Sequence, residues 1–284
     1  MVTISDYKGL EPAWCPGCGN FGILTALNKA LVDLNLEPYQ VLLVSGIGQA
    51  GKIPHYTKGN IFNSLHGRPI PVAIGAKAAN PELTVITFSG DGDAYGEGGN
   101  HFIHAARRNH HITYIVHNNQ VYGLTKGQAS PTSDAGFVTG STPYGAANPL
   151  NPIALALASG AGFVARGFAG DVAHLSTIIA KGIQHKGFAL IDVLQPCVTF
   201  NKKNTYQWYR QRVYKLEEIP DYNPLDTNAA QKKSQEWGDQ IPIGIFYESI
   251  KPTYEEQIPA LKKGPLVSQK IIPGQIANLF AEFT

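Results

Sequence analysis

The sequence predicts an α/β fold: a parallel β-sheet with helices on both faces. Two observations carry this. Short, uniformly apolar runs recur along the chain, and segments of helical period separate them. Strands that are apolar on both sides must be covered on both sides, and helical crossovers make neighbouring strands parallel. A third observation is where the alternation stops. After about residue 200 it gives way to NKKNTYQWYRQRVYKL and then to Pro- and charge-rich segments. The α/β domain is therefore expected over 1–198, and 199–284 as a C-terminal extension that packs on the core or on a partner. No internal repeat is visible.

The elements follow in order. Residues 20–34 (NFGILTALNKALVDL) space their apolar residues as a helix does. Residues 40–44 (QVLLV) form a short strand ending at Ser45-Gly46. Residues 69–79 read as a helix with small residues suited to close packing. TVITFSG, 84–90, is a buried strand stopped by glycine. Residues 98–108 (GGNHFIHAARR) read as a helix and 112–118 (ITYIVHN) as a strand. The stretch 127–152 is rich in Gly, Ser, Pro and Thr and is read as a loop. Helix 152–160, strand 163–167, helix 172–184 and strand 188–193 continue the pattern.

Composition narrows the function classes. The chain has 284 residues, 43% hydrophobic and 15% charged, a globular balance rather than a disordered one. A net charge of +2 gives little electrostatic reason to bind nucleic acid. No apolar run approaches the roughly 18 residues of a membrane span, and MVTISDYKGL does not read as a signal peptide. A soluble, cytoplasmic protein without a membrane partner is expected. There are 3 cysteines, two of them as C-x-x-C, which excludes a disulfide framework and leaves a redox or metal site open.

The stretch from Gly90 to Gly123 carries the chemistry. One strand ends in Gly90-Asp91-Gly92 and the next in Asn118-Asn119. Both tips lie at carboxyl ends of strands, where open α/β sheets bind ligands. A diphosphate needs a divalent cation, and Mg²⁺ takes oxygen ligands. Asp91 offers a carboxylate, Asn119 an amide oxygen and Val121 a backbone carbonyl. Gly90 and Gly92 let the backbone approach the phosphates and leave N–H groups free at a helix start.

GDG followed by NN resembles the thiamine-diphosphate motif. The surroundings narrow the match: Trp14-Cys-Pro-Gly-Cys-Gly-Asn-Phe-Gly-Ile23, Val44-Ser-Gly-Ile-Gly48, Gly51-Lys-Ile-Pro-His55, Leu65-His-Gly-Arg68, Arg107-Arg-Asn109, Tyr122-Gly-Leu-Thr-Lys-Gly-Gln128, Ser130-Pro-Thr132, Gln195-Pro-Cys197 and Trp237-Gly-Asp-Gln-Ile-Pro-Ile243. Together they look like the β subunit of 2-oxoacid:ferredoxin oxidoreductases, over essentially the whole chain. The resemblance implies oxidative decarboxylation of a 2-oxo acid such as pyruvate or 2-oxoglutarate, with coenzyme A taking the acyl group and ferredoxin the electrons. It puts the Mg²⁺ ligands at Asp91, Asn119 and the Val121 carbonyl. It puts cofactor contacts at Ile47, Gly48, Gln49, Ala50, His66, Gly92, Asp93, Gly123 and Leu124. In this enzyme class the coenzyme lies between a diphosphate-binding and a pyrimidine-binding domain that carries an activating Glu. One domain of about 200 residues is too short for both, so an α subunit is expected to supply the second. Exposed apolar surface around the Ser45–Gly48 and Asn119–Gln128 loops would be the contact.

The resemblance also implies a [4Fe-4S] cluster. Three of its four cysteine positions are present as Cys15, Cys18 and Cys197, but Gln49 stands at the fourth. A neutral carboxamide is a poor iron ligand beside thiolate. The cluster then carries a labile iron with a non-Cys ligand, is a three-iron form, or is absent, with Cys15 and Cys18 binding zinc or remaining free. Two other readings stand beside it: a thiamine-diphosphate lyase or oxidase subunit without iron–sulfur chemistry, which Gln49 supports best, and a non-catalytic chain kept for assembly or for binding zinc through Cys15, Cys18 and Cys197.

Other residues invite roles. Lys52 could pair a substrate carboxylate. His66 could donate to a phosphate or polarise the substrate carbonyl. Arg68 could hold phosphate or a neighbouring loop. His101, His104 and His110-His111 lack a completing ligand and read as packing or solvent-facing residues. The aromatic and basic stretch Asn201–Leu216 reads as a protein interface.

Overall fold

The structure, a computed structural model, describes residues 1–270 together with Gly274 and Phe280. Helix α1 (Asn20–Asp33) leads to strand β1 (Val41–Ser45), short helix α2 (Ile53–Tyr56), edge strand β2 (Asn60–Asn63) and helix α3 (Pro69–Ala79). Strand β3 (Thr84–Gly90), helix α4 (Gly99–Arg108) and strand β4 (Thr113–Asn118) follow, then the tiny strands β5 (Val121–Tyr122) and β6 (Gln128–Ala129). Helix α5 (Pro152–Ala158), strand β7 (Phe163–Phe168), helix α6 (Val172–Gln184) and strand β8 (Ala189–Leu194) complete the expected alternation. The remaining elements are helix α7 (Tyr206–Arg210), strand β9 (Val213–Lys215), helix α8 (Thr227–Ser234) and strand β10 (Ile241–Glu248).

The main sheet has 8 strands in the order β2-β1-β3-β4-β8-β7-β10-β9. All pairings are parallel except β10 with β7. Alternate side chains feed two cores. Leu43, Phe88, Ile115 and Ile191 meet α1 and α6 on one face. Val44, Tyr114, Val116 and Leu190 meet α3, α4 and α5 on the other. Helix α1 belongs where it is because Ile23, Leu27 and Leu31 recur every four residues on one stripe and are fully buried. Each such side chain contributes about 1.5–3 kcal/mol. Asp171 starts α6 by accepting from the His174 N–H at 3.1 Å.

The segment after residue 198 does more than lie against the sheet. It adds β10 and β9 to it, so the sheet is continuous across the expected boundary. Strand β10 escapes a sequence reading because Pro242 and Gly244 interrupt its apolar run, and its register shifts between Ile245 and Tyr247. Among the described residues, no helix is long and apolar enough to cross a membrane.

Candidate functional site

Strands β1, β3 and β4 are parallel neighbours, so their carboxyl ends emerge side by side. The loops after them, 46–50, 90–93 and 119–125, wall one pocket, with His66 on its rim. Every residue assigned to cofactor contact or Mg²⁺ ligation from the sequence lines this pocket; Gly90, Tyr122 and Thr125 line it as well. Lys52 does not. It ends the turn Ala50–Lys52, half-buried, and the chain turns into α2 beyond it.

Asp91 is 1% exposed. Burial pushes its carboxyl up to about 6, against the opposing pull of hydrogen bonds from Ser130 and Thr132. Ser130 Oγ donates at 2.5 Å and Thr132 Oγ1 lies at 2.6 Å, both on Oδ2. Thr132 Oγ1 also lies 2.9 Å from Asn118 Oδ1, while Asn118 Nδ2 donates to both oxygens of Asp192 at 3.2 Å. Asn118 is therefore a brace inside the protein, and Asn119 faces the pocket.

The turn at Asn119–Val121 is held by a residue that sequence reasoning passed over. Gln120 sits at φ +59°, a left-handed conformation. Its side chain is fixed from both ends: Nε2 donates to Thr132 O at 2.8 Å and to Asp134 Oδ1 at 3.1 Å, and Oε1 accepts from Tyr209 OH at 3.3 Å. Asn119 Oδ1 accepts from the Val121 N–H at 3.1 Å, and the Asn119 carbonyl accepts from Asn201 Nδ2 at 3.1 Å. The Asn119 amide oxygen keeps a second lone pair for a cation. Asn201 and Tyr209 come from the stretch read as a partner interface. Both are buried, and this part of it buttresses the site. The signal for it was the adjacency of Asn201 and Asn204 to a buried Tyr, which no periodicity reports.

Asp93 organises the opposite wall. Its Oδ1 accepts from the Gly67 N–H at 2.7 Å and the Ile47 N–H at 3.3 Å, and its Oδ2 from Ser89 Oγ at 2.5 Å. His66 Nδ1 lies 2.8 Å from Asp93 Oδ1 and 3.3 Å from Glu97 Oε2. With Nδ1 facing two carboxylates, Nε2 is the free nitrogen of His66. Burial raises the Asp93 carboxyl above its ordinary value. A Cβ on Gly46 would lie 1.8 Å from Asp93 Oδ2, so only glycine allows this approach. Gly92 is needed for a different reason than expected: a Cβ there would lie 2.3 Å from the Tyr122 ring. Gly90, by contrast, has open space at its Cβ position.

The pocket offers two buried carboxylates and no Lys or Arg among its lining residues. A polyanion could settle there only with a cation between. Asp91, the Asn119 amide and the Val121 carbonyl are hard oxygen donors of the kind Mg²⁺ takes. The donor set fits a Mg²⁺-bound diphosphate.

A second cavity adjoins the first. Cys15, Cys18 and Cys197 line it, and Gln49, Asn119 and Gly123 are common to both. Each sulfur has a hydrogen-bond donor: Thr199 Oγ1 for Cys15 at 3.2 Å, Gln195 Nε2 for Cys18 at 3.4 Å, and the Phe200 N–H for Cys197 at 3.5 Å. Burial pushes the Cys18 thiol up to about 11. Trp14 Nε1 pins the Gln49 backbone carbonyl at 3.0 Å, while Gln49 Oε1 is buried without a partner.

The histidines fall elsewhere. His101 Nε2 lies 2.6 Å from Arg68 Nη1, which is where Arg68 goes, and buried His110 pairs with Glu255 at 2.9 Å. Among the described residues, no three His, Cys, Asp or Glu side chains converge to hold a single metal ion.

Comparison with known proteins agrees with this geometry. Residues 46–193 match the family described as thiamine pyrophosphate enzyme, C-terminal TPP binding domain. Residues 197–263 match the family of the C-terminal region of the pyruvate ferredoxin oxidoreductase β chain. The chain is similar to the 2-oxoacid:ferredoxin oxidoreductase subunit beta of Saccharolobus solfataricus, 54% identical over 258 residues, covering 86% of this chain and 85% of that one. It is also similar to the 2-oxoglutarate synthase subunit KorB of Methanocaldococcus jannaschii, 38% identical over 252 residues, covering 88% and 92%. Among solved structures it is similar to a 2-oxoglutarate:ferredoxin oxidoreductase from Magnetococcus marinus with 2-oxoglutarate, coenzyme A and succinyl-CoA bound. That match has a TM-score of 0.91 at 35% identity, covering 98% of this chain and 96% of that chain.

Proposed function

This chain belongs to the β subunits of the 2-oxoacid:ferredoxin oxidoreductases, and from that premise we propose how its residues divide the work. It is a subunit of an oxidoreductase acting on a 2-oxo acid. Thiamine diphosphate would sit in the pocket at the ends of β1, β3 and β4, and when bound it supplies the electron sink for decarboxylation. Asp91, Asn119 Oδ1 and the Val121 carbonyl would hold Mg²⁺ against the diphosphate. Asp93 fixes the Ile47 and Gly67 backbones and orients His66 through Nδ1; its Nε2 accepts in the neutral ring and can donate to a phosphate or to the substrate when the imidazole carries both protons. Lys52 is off the pocket wall, and a substrate role for it would require the carboxylate to extend past Ala50.

The cysteine cavity would carry the iron–sulfur cluster that passes electrons towards ferredoxin. Its three thiols fit three irons; the chain has no thiol for a fourth. The pyrimidine half of the coenzyme site would come from an α subunit. Ile47, Leu65 and Leu124 are exposed apolar side chains near the pocket mouth, and Ile61 and Phe62 lie exposed on the edge strand β2. They supply the apolar surface such a partner needs. Coenzyme A and the choice of 2-oxo acid are assigned to the assembled αβ enzyme.

The observation that carries this reading is the convergence of three consecutive parallel strand ends on one pocket holding Asp91, Asn119 and Val121. The test is calorimetric binding of thiamine diphosphate with Mg²⁺ to the αβ complex, alongside 2-oxo acid- and coenzyme A-dependent reduction of ferredoxin. Asp91→Ala is expected to weaken cofactor binding by about 100-fold or more. Unchanged affinity in that variant refutes the assignment.

A further inference from the structure

The cysteine cavity is lined by three thiols and is one thiol ligand short of a four-iron cubane. Its three sulfurs each receive a donor, the arrangement that tunes cluster thiolates. In a cluster each thiolate takes a different iron, so the three thiols on this one cavity wall can serve three irons. Two carboxamide oxygens on the cavity wall, Gln49 Oε1 and Gln195 Oε1, are buried and unpartnered. Gln195 is already committed through its amide nitrogen, which donates to Cys18 Sγ and, at 2.9 Å, to Pro196 O. Among the described residues no hydrogen bond commits the Gln49 side chain, and its backbone is fixed by Trp14.

We propose that this cavity holds a cluster with three irons fixed by Cys15, Cys18 and Cys197 and a fourth, exchangeable iron whose only protein ligand is Gln49 Oε1. This rests on the reading of the chain as an iron–sulfur-carrying β subunit. A neutral amide oxygen holds iron far more weakly than a thiolate. A one-electron oxidant such as ferricyanide therefore converts [4Fe-4S]²⁺ to [3Fe-4S]⁺, releasing one Fe²⁺ and giving one electron to the oxidant. Dithionite and Fe²⁺ reverse it: [3Fe-4S]⁺ takes up one Fe²⁺ and one electron.

The test uses the αβ complex purified without oxygen, with iron and acid-labile sulfide counted per β chain and the cluster followed by electron paramagnetic resonance. After stoichiometric ferricyanide and desalting through a chelator, about three irons should remain with undiminished sulfide, together with the paramagnetic signal of an oxidised three-iron cluster. Fe²⁺ with dithionite should restore about four irons and abolish that signal. Gln49→Cys should keep about four irons through the oxidation. Gln49→Ala should stay near three after Fe²⁺ and dithionite. Wild-type protein that keeps four irons through oxidation overturns the proposal, as does a Gln49→Ala variant that regains the fourth as readily as wild type. Absence of iron and sulfide, or zinc in their place, overturns the iron–sulfur reading itself.

Discussion

Replacing Asp91 with Asn is expected to make the cofactor-free enzyme more stable while destroying the proposed cation site. Asp91 is 1% exposed, and burial pushes its carboxyl from 3.8 up to about 6; the Ser130 and Thr132 hydrogen bonds oppose this without cancelling it. A carboxyl raised in the native state holds its proton more tightly there than in the unfolded chain, so ionising it costs stability. That cost is absent below about pH 4, grows between about pH 4 and 6, and is complete above the folded value. A shift of about two units corresponds to about 3 kcal/mol. Asparagine keeps the shape, still accepts from both hydroxyls and carries no charge, but its amide N–H groups need partners. The net gain at neutral pH is then about 1–3 kcal/mol, or roughly 2–6 °C in melting temperature. The assay is thermal unfolding of cofactor-stripped wild type and Asp91→Asn from pH 4 to 8. The variant should melt above wild type at pH 7, with the gap closing towards pH 4. Adding Mg²⁺ and thiamine diphosphate should raise wild type only and reverse the order. A variant that melts below wild type at pH 7 without cofactor, or a gap independent of pH, refutes the burial argument.

Gly46→Ala places a Cβ 1.8 Å from Asp93 Oδ2, and should cost about 1–3 kcal/mol in unfolding experiments together with most cofactor affinity in calorimetry. Gly92→Ala collides with Tyr122, so the pair Gly92→Ala and Tyr122→Ala should be non-additive. The double variant should recover about 1–2 kcal/mol over the sum of the singles in a denaturant-unfolding cycle. At Glu255, burial pushes the carboxyl up, but the hydrogen bond from His110 and the surrounding N–H groups outweigh it and the net shift is downward. A depressed acid stabilises the fold above its unfolded value and loses that contribution as pH falls through its folded one. Glu255→Gln should therefore lower stability by about 1–3 kcal/mol at pH 7. The deficit should shrink on acidification below about pH 4, read by denaturant titration at each pH.

The parts of this molecule visible from residue order are those governed by local period. Strands β3, β4 and β8 are short, almost wholly buried runs built around apolar residues, and α1 repeats Ile23, Leu27 and Leu31 on one stripe, so their places followed directly. The pocket was also readable, since Asp91 and Asn119 end adjacent strands and neighbouring strand ends are close in space. What supports those residues was not. Ser130 and Thr132, part of a matched motif but given no role, sit under Asp91 from a segment whose composition reads as a loop, and Tyr209 reaches Gln120 from far along the chain. Such contacts depend on tertiary geometry and leave no periodic trace. Strand β10 stayed hidden for the opposite reason: Pro242 and Gly244 argue locally against a strand, and the sheet overrides them.

Gln49 is a partition between two chambers. The pocket proposed for thiamine diphosphate and the cavity proposed for the cluster share this residue, together with Asn119 and Gly123, so their walls meet there with no separate layer of protein. On the proposed assignment an electron would pass between adjoining cavities. The same economy removes independence: a replacement chosen to tune the inorganic compartment also reshapes the wall of the organic one. Rebuilding either in isolation would require moving the boundary itself, beginning with the Trp14 contact that anchors it.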